Sequence, residues 1–130
     1  MATGETFRKY GKTDIKVDFE NKAAFVGECK VWRGEKGISE AIGQLLGYLT
    51  WRDCKTAIVI FNKEVKGFKT IQEKVPEIFL SHKNYLQTLP NQPAGEWRYI
   101  FKSRDDEERQ IMIHVFLFDL HVNPAGGGKQ

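Results

Sequence analysis

Cysteine, histidine and long apolar runs are scarce in this sequence of 130 residues, and each shortage excludes a class of protein. The two cysteines, Cys29 and Cys54, have neither metal-ligand spacing nor the density of a disulfide framework. The three histidines are scattered, which argues against a histidine-rich zinc site. No apolar stretch is long enough to span a membrane, and the first residues do not resemble a secretory signal. We therefore expect a cytoplasmic protein with no membrane partner.

The composition is that of an ordinary globular domain. Hydrophobic residues make up 41% of the chain and charged residues 28%, and the length suits one domain with a real core. The net charge of +3 mildly favours a polyanionic partner. We expect residues 1–130 to form a single domain in which residues 1–12 and 123–130 are poorly ordered, because neither end has a pattern that would order it.

Two strands are predicted near the start of the chain. Thr13–Phe19 alternates polar and apolar residues, which is typical of a half-buried strand. Ala23–Trp32 is an apolar run with aromatic and β-branched members, which indicates a more deeply buried strand. The turn at residues 20–22 joins them into a β-hairpin. A three-residue turn predicts three cross-strand pairs, unless a bulge alters the register: Phe19 with Ala23, Val17 with Phe25, and Asp14 with Glu28.

The remaining elements alternate between helices and strands. An apolar stripe that begins at Ile38 predicts a helix to about Asp53, and a second helix is predicted with Pro76 at a kink or in a first turn. A buried strand between two helices indicates an α/β fold with a mixed central β-sheet flanked by α-helices. The predicted elements after the first helix are Thr56–Asn62 (strand), Phe68–His82 (helix), and Trp97–Arg104 with Gln110–Leu120 (hairpin).

Glu28 and Lys30 are the most informative residues because they interrupt an apolar strand. Residues two apart share a face of a strand, and glutamate and lysine are seldom buried unless they are paired or hold a metal. One interpretation is an ion pair where the strand emerges into solvent. The other is a functional site at this point of the sheet.

The hairpin register adds a second carboxylate to Glu28 and so predicts a metal site. Asp14 and Glu28 on one face, with the backbone carbonyl of Cys29, suit Mg²⁺, which takes oxygen ligands and keeps several waters; Mn²⁺ could substitute. Lys30 would orient or deprotonate a metal-bound water, or stabilise the charge that develops on a phosphate. Asp18 shares the face of Asp14 but lies nearer the turn and farther from Glu28.

These residues resemble a known family. Asp14, a hairpin, Glu28-x-Lys30, a helix and a buried strand follow the order of the PD-(D/E)XK nuclease superfamily, also called restriction-endonuclease-like. The resemblance spans about Thr13 to Asn62, and Thr13 stands where the family often has proline. It implies a restriction-endonuclease-like core and Mg²⁺-dependent hydrolysis of phosphodiester bonds.

The next helix extends the resemblance. Gln44 and Tyr48 lie four residues apart and look like the glutamine-x-x-x-tyrosine motif of the exonuclease-like branches, whose side chains face the site and contact substrate. A core hydrogen-bonded pair is the other interpretation of these two residues. Many members also carry an acidic residue on a helix before the first strand. That element is not visible ahead of Asp14. Either the sequence is a trimmed member or fragment of the family, or the element comes from a partner chain or a second copy in a homodimer.

Four basic residues near the ends of predicted elements, Arg33, Lys36, Arg52 and Lys55, could contact nucleic-acid phosphates, although a solvated surface explains them equally well. Trp32 and Trp51 could stack on bases but are better explained by packing. We therefore expect a Mg²⁺-dependent deoxyribonuclease. The alternatives are a non-catalytic nucleic-acid-binding or assembly module that retains the fold, and a hydrolase of small phosphoesters.

Overall fold

Seven strands and two helices make up the part of the chain that the structure describes. The computed structural model describes residues 6–10, 14–19, 22–48, 55–63, 66–104 and 108–120, and for residues up to 24 and residue 48 it describes the backbone alone. The elements are β1 (Thr6–Tyr10), β2 (Asp14–Phe19), β3 (Lys22–Val31), α1 (Glu35–Tyr48), β4 (Lys55–Asn62), α2 (Phe68–Leu80), β5 (Tyr85–Leu89), β6 (Glu96–Lys102) and β7 (Gln110–Asp119).

All seven strands belong to one mixed sheet in the order β1-β2-β3-β4-β7-β6-β5. Strand β4 lies at the centre and pairs in parallel with both β3 and β7. The strands on either side of this parallel centre pair antiparallel, β1 with β2 and β2 with β3 on one side, β7 with β6 and β6 with β5 on the other. The predicted α/β class with a mixed sheet is therefore confirmed.

Both helices pack on the same face of this sheet. Residues directly opposite in register share a face, and Ile58 of β4 lies opposite Val115 of β7, as Tyr99 of β6 lies opposite Ile113. All four side chains belong to one buried cluster that also contains the apolar stripes of the two helices. The helix residues in this cluster are Ile38, Ile42, Leu45 and Leu46 of α1 and Ile71, Val75, Ile78 and Phe79 of α2.

The strongest sequence patterns gave the right elements. Strands β2, β3, β4, β6 and β7 and both helices occur where they were predicted, within a few residues at each end. Two strands were not predicted. Strand β1 lies inside the segment that we expected to be poorly ordered, and β5 follows α2 directly. The predicted end of α1 at Asp53 and the expected disorder of residues 123–130 lie outside the described residues.

Pro76 lies in the interior of α2, so its predicted position in the first turn of a renewed helix is wrong. A proline inside a helix removes one backbone hydrogen bond and costs about 3 kcal/mol. Burial of Ile71, Val75 and Phe79 on the face that meets the sheet offsets this cost. Within the described residues, neither helix has the length and apolar character needed to cross a membrane.

Candidate functional site

Glu28 lies in the middle of β3 and is 0% exposed. It pairs in register with Ile58, so its side chain points to the face that the helices cover, between apolar groups of the core. Strand β3 places it there because Val26, two residues earlier, is a fully buried core residue and residues two apart share a face. A carboxylate removed from water is stable as an anion only when a cation or hydrogen-bond donors compensate it.

Asp14 begins β2 beside this position. The predicted pair Val17–Phe25 is confirmed, and Ile15 pairs with Gly27. Ile15–Gly27 is the last pair of this ladder, so the predicted pair of Asp14 with Glu28, one step beyond it, stays a prediction. The predicted pair of Phe19 with Ala23 is wrong: Phe19 pairs with Lys22 because the register shifts between Val17 and Asp18.

The same shift separates Asp18 from the candidate site. Asp18 pairs with Ala23, five residues before Glu28 along β3. At about 3.3 Å per residue this is a separation of about 16 Å along the strand. Of the two aspartates on β2, Asp14 is therefore the one whose position suits a shared site with Glu28.

Lys30 shares the face of Glu28 and is partly exposed, since it lies nearer the end of β3. Cys29 points to the opposite face, so only its backbone carbonyl is in a position to serve the Glu28 side. The pairing between β2 and β3 ends at Ile15–Gly27, one residue before Glu28. The segment from Glu28 to Lys30 is held from the other side, by its parallel pairing with Ile58–Ile60 of β4.

Helix α1 carries Gln44 on an exposed flank rather than on the buried stripe. Ser39 lines a cavity that α1 shares with Glu77 and Ser81 of the α2 region, so this flank of α1 faces α2. Gln44 lies five residues further on, about 140° around the helix axis, so it does not share the flank of Ser39. Residue 48 lies one turn beyond Gln44. A contact of these two residues with substrate beside Asp14 and Glu28 stays a prediction.

The four predicted phosphate contacts do not converge. Arg33 and Lys36 are exposed and follow the carboxyl end of β3, whereas Lys55 is exposed at the amino end of β4. The paired segment of β3 and β4 between these ends has seven residues, and its six steps span about 20 Å at about 3.3 Å per residue. Arg52 lies outside the described residues.

The structure brings together a basic cluster that the sequence did not indicate. Lys83, Lys102 and Arg104 line one cleft together with Asn84 and Ser103. Nearby, burial first and then the charges of Lys83 and Arg104 lower the pKa of His82 below its ordinary value. The cluster joins a segment after α2 to the end of β6, and no periodicity in either segment marks these residues.

The predicted ligands of the metal site are all oxygen atoms, which is the ligand type that Mg²⁺ takes. Among the side chains that the structure describes, no three of the His, Cys, Asp and Glu residues form a group that could hold a metal ion. Two carboxylates and a backbone carbonyl are nonetheless a sufficient protein contribution for Mg²⁺, which completes its shell with water and substrate oxygens. Asp14, Glu28 and the Cys29 carbonyl are the groups that would supply this contribution.

No protein-family model, curated protein or solved structure matches this chain.

Proposed function

We propose that this chain is a Mg²⁺-dependent nuclease that hydrolyses phosphodiester bonds in DNA. The observation that carries the proposal is the position of Glu28, 0% exposed in the middle of β3, with Lys30 on the same face. Oxygen ligands from Glu28 and the neighbouring Asp14 of β2 would suit a divalent cation at this point of the sheet.

The order of elements supports the same proposal. A hairpin of β2 and β3, helix α1 and the parallel strand β4 follow one another as in the restriction-endonuclease-like core that the sequence resembles. Gln44 is exposed on α1, which suits a side chain that contacts substrate.

The residues divide the chemistry between them. When bound, Mg²⁺ would lower the pKa of a water molecule and offset charge on the scissile phosphate. Asp14, Glu28 and the carbonyl of Cys29 would hold it. Lys30, being partly exposed, can reach a water at the mouth of the site, orient it for attack on phosphorus, and neutralise charge on a nonbridging oxygen. Gln44 and Tyr48 would position the strand.

Supercoiled, linear and single-stranded DNA, each incubated with Mg²⁺ or Mn²⁺, test this proposal. Cleavage should require the metal, stop on addition of EDTA, and fall by at least about 100-fold in Lys30→Ala and Asp14→Ala because each removes a group that serves the transition state. Lys69→Ala is the matched control, since Lys69 is an exposed lysine of α2, an element that carries none of the proposed site residues. Full cleavage by Lys30→Ala would sink the assignment.

A non-catalytic nucleic-acid-binding or assembly module is the second candidate, and one observation favours it. The element that precedes β2 is the strand β1, not a helix that could add an acidic ligand. Metal titration separates the two candidates. Thermal unfolding of a nuclease should shift upward with Mg²⁺ or Mn²⁺ in the wild type and not in Asp14→Ala, whereas a module without metal chemistry should show no shift in either.

A further inference from the structure

A basic cleft of about 280 Å³ lies between the α2–β5 connection and the end of β6. We refer to it as the Arg104 cleft. The described residues that line it are Lys83, Asn84, Lys102, Ser103 and Arg104. Three of these five are cations, none of the five is acidic, and the two polar residues, Asn84 and Ser103, are 9% and 3% exposed.

Backbone and amide hydrogen bonds fix the base of the Arg104 cleft. The amide Nδ2 of Asn84 donates to the carbonyl of Lys102 over 3.0 Å, and the backbone N–H of Lys102 donates to the carbonyl of Asn84 over 2.7 Å. The backbone N–H of Asn84 also donates to Nδ1 of His82 over 3.1 Å. The segments that carry Lys83 and Lys102 are therefore tied to each other by hydrogen bonds of the residues between and beside the two lysines.

Arg104 is held against helix α1. Its Nη2 donates to the carbonyl of Gly43 over 2.7 Å. A Cβ at Gly47 would lie only 3.2 Å from Nη1, so the absence of side chains at positions 43 and 47 makes room for the guanidinium. One of the five donors of Arg104 is used in this bond, and the planar group remains able to present others to an oxyanion.

Among the residues that the structure describes, Lys83, Lys102 and Arg104 take part in no ion pair. The charges of Lys83 and Arg104 act on His82, whose pKa they help to lower. Like charges gathered in a concave site raise the local potential, and such sites attract anions.

We propose that the Arg104 cleft binds a phosphate group of a nucleic-acid strand. Arginine with lysine is the usual combination for contacts to phosphate oxygens, and contacts of this kind fix the position of a strand without reading its sequence. Arg104 is tied to Gly43, the residue before Gln44, so the cleft lies next to the end of α1 that bears Gln44. The choice of a nucleic acid over a free phosphate rests on the proposed function. The anion site itself rests on the residues that line the cleft and on their charges.

The test measures binding without cleavage. Labelled single-stranded and duplex DNA of about 20 nucleotides are titrated in EDTA at several salt concentrations, and inorganic phosphate is titrated separately while the histidine signals are followed by NMR. In Lys102→Gln/Arg104→Gln, duplex affinity should fall by about tenfold and the slope of log affinity against log salt should decrease by about 1. The control Lys69→Gln/Lys74→Gln removes the same charge from α2 and should change both values much less. Circular dichroism and thermal unfolding verify the fold of each variant.

Bound phosphate should also raise the pKa of His82, because its charge offsets those of Lys83 and Arg104. A merely structural role of the cluster would leave this pKa unchanged. The proposal would be overturned if Lys102→Gln/Arg104→Gln bound DNA as tightly as the wild type. This would hold even if the wild-type cleft bound inorganic phosphate. The acidic residues Asp105 to Glu107 lie outside the described residues; if they neutralise the cleft, neither titration responds and the proposal fails. Loss of affinity in a chain that cleaves no DNA would support the proposal while the nuclease assignment fails.

Discussion

The ring of Phe79 stacks on the ring of Tyr99, with centroids 4.8 Å apart and planes inclined by 13°. The contact joins the end of α2 to the middle of β6 at the centre of the core, where both residues are 0% exposed. The hydroxyl of Tyr99 is buried with its ring and makes no hydrogen bond to any described residue. Burial, and then the neighbouring Tyr85, raises the pKa of Tyr99, so the hydroxyl stays protonated.

Tyr99→Phe should therefore leave the protein as stable or raise its free energy of unfolding by up to about 1 kcal/mol, because it removes a buried polar group that lacks a partner. The stacked ring is kept. Tyr85→Phe is the control, since the Tyr85 hydroxyl lies 2.7 Å from Oγ1 of Thr88 and its loss should cost about 0.5–1 kcal/mol. Urea unfolding of the three proteins gives the comparison. A loss of more than about 1 kcal/mol in Tyr99→Phe would mean that the hydroxyl is satisfied after all.

Two glycines of α1 should respond differently to alanine. Gly43→Ala should raise the free energy of unfolding by about 0.5–1 kcal/mol, because alanine favours a helix and the new Cβ would make an ordinary contact, 3.7 Å, with Nη2 of Arg104. Gly47→Ala should gain less, because its Cβ would lie 3.2 Å from Nη1 and the guanidinium must move.

The background variant Arg104→Ala isolates this effect of crowding. With the guanidinium gone, the two alanine substitutions should stabilise the helix by similar amounts. Thermal or urea unfolding of the six proteins measures the coupling. If Gly47→Ala remained the poorer substitution in the Arg104→Ala background, the guanidinium would not be the cause of the difference.

His82 should make the stability depend on pH. Its pKa in the folded protein lies below that of the unfolded chain, so the unfolded chain binds the proton more readily. Its contribution is complete above about pH 6.5 and is lost as the pH falls from there through the lowered pKa. Protonation would also disturb the hydrogen bond that Nδ1 accepts from the N–H of Asn84.

The comparison that isolates His82 is with His82→Asn, whose side-chain oxygen can accept the same hydrogen bond. The difference in unfolding free energy between wild type and His82→Asn should be constant above about pH 7. At lower pH the wild type should lose stability relative to His82→Asn. Contributions of other titratable groups are common to both proteins and cancel. A difference independent of pH between 5 and 8 would contradict the lowered pKa.

The sequence was sufficient for those elements that bury a distinct apolar pattern. Strand β4 and helix α1 were predicted because Ile58, Ile60 and the stripe from Ile38 follow the periods of a strand and a helix. Strand β5 was missed because it is an edge strand whose inner residues are exposed, so no alternation marks it. The register shift at Asp18 was missed because bulges depend on the paired strand rather than on local sequence.

The candidate functional residues likewise include some that the sequence predicts and some that it does not. The shared face of Glu28 and Lys30 follows from a spacing of two residues along one strand, which sequence alone supplies. The Arg104 cleft could not be predicted, because it depends on the pairing of Tyr85 with Phe101, which brings the start of β5 beside the end of β6. Lys83 and Lys102 come together through that pairing, and no pattern in either segment predicts that the two segments pair.

The central position of β4 has a consequence for how the chain reaches this structure. The strands on each side of it are antiparallel neighbours joined by short connections, so each group can form from contacts that are close in sequence. Strand β4 must then pair with both groups, and the hydrogen bond from its Thr56 to the carbonyl of Met112 joins residues that are 56 positions apart. Closing that long loop is the entropically expensive step. Insertion of β4 between two preformed halves is therefore the event that should limit the folding rate, and it is also the event that moves Glu28 from an exposed edge into the interior.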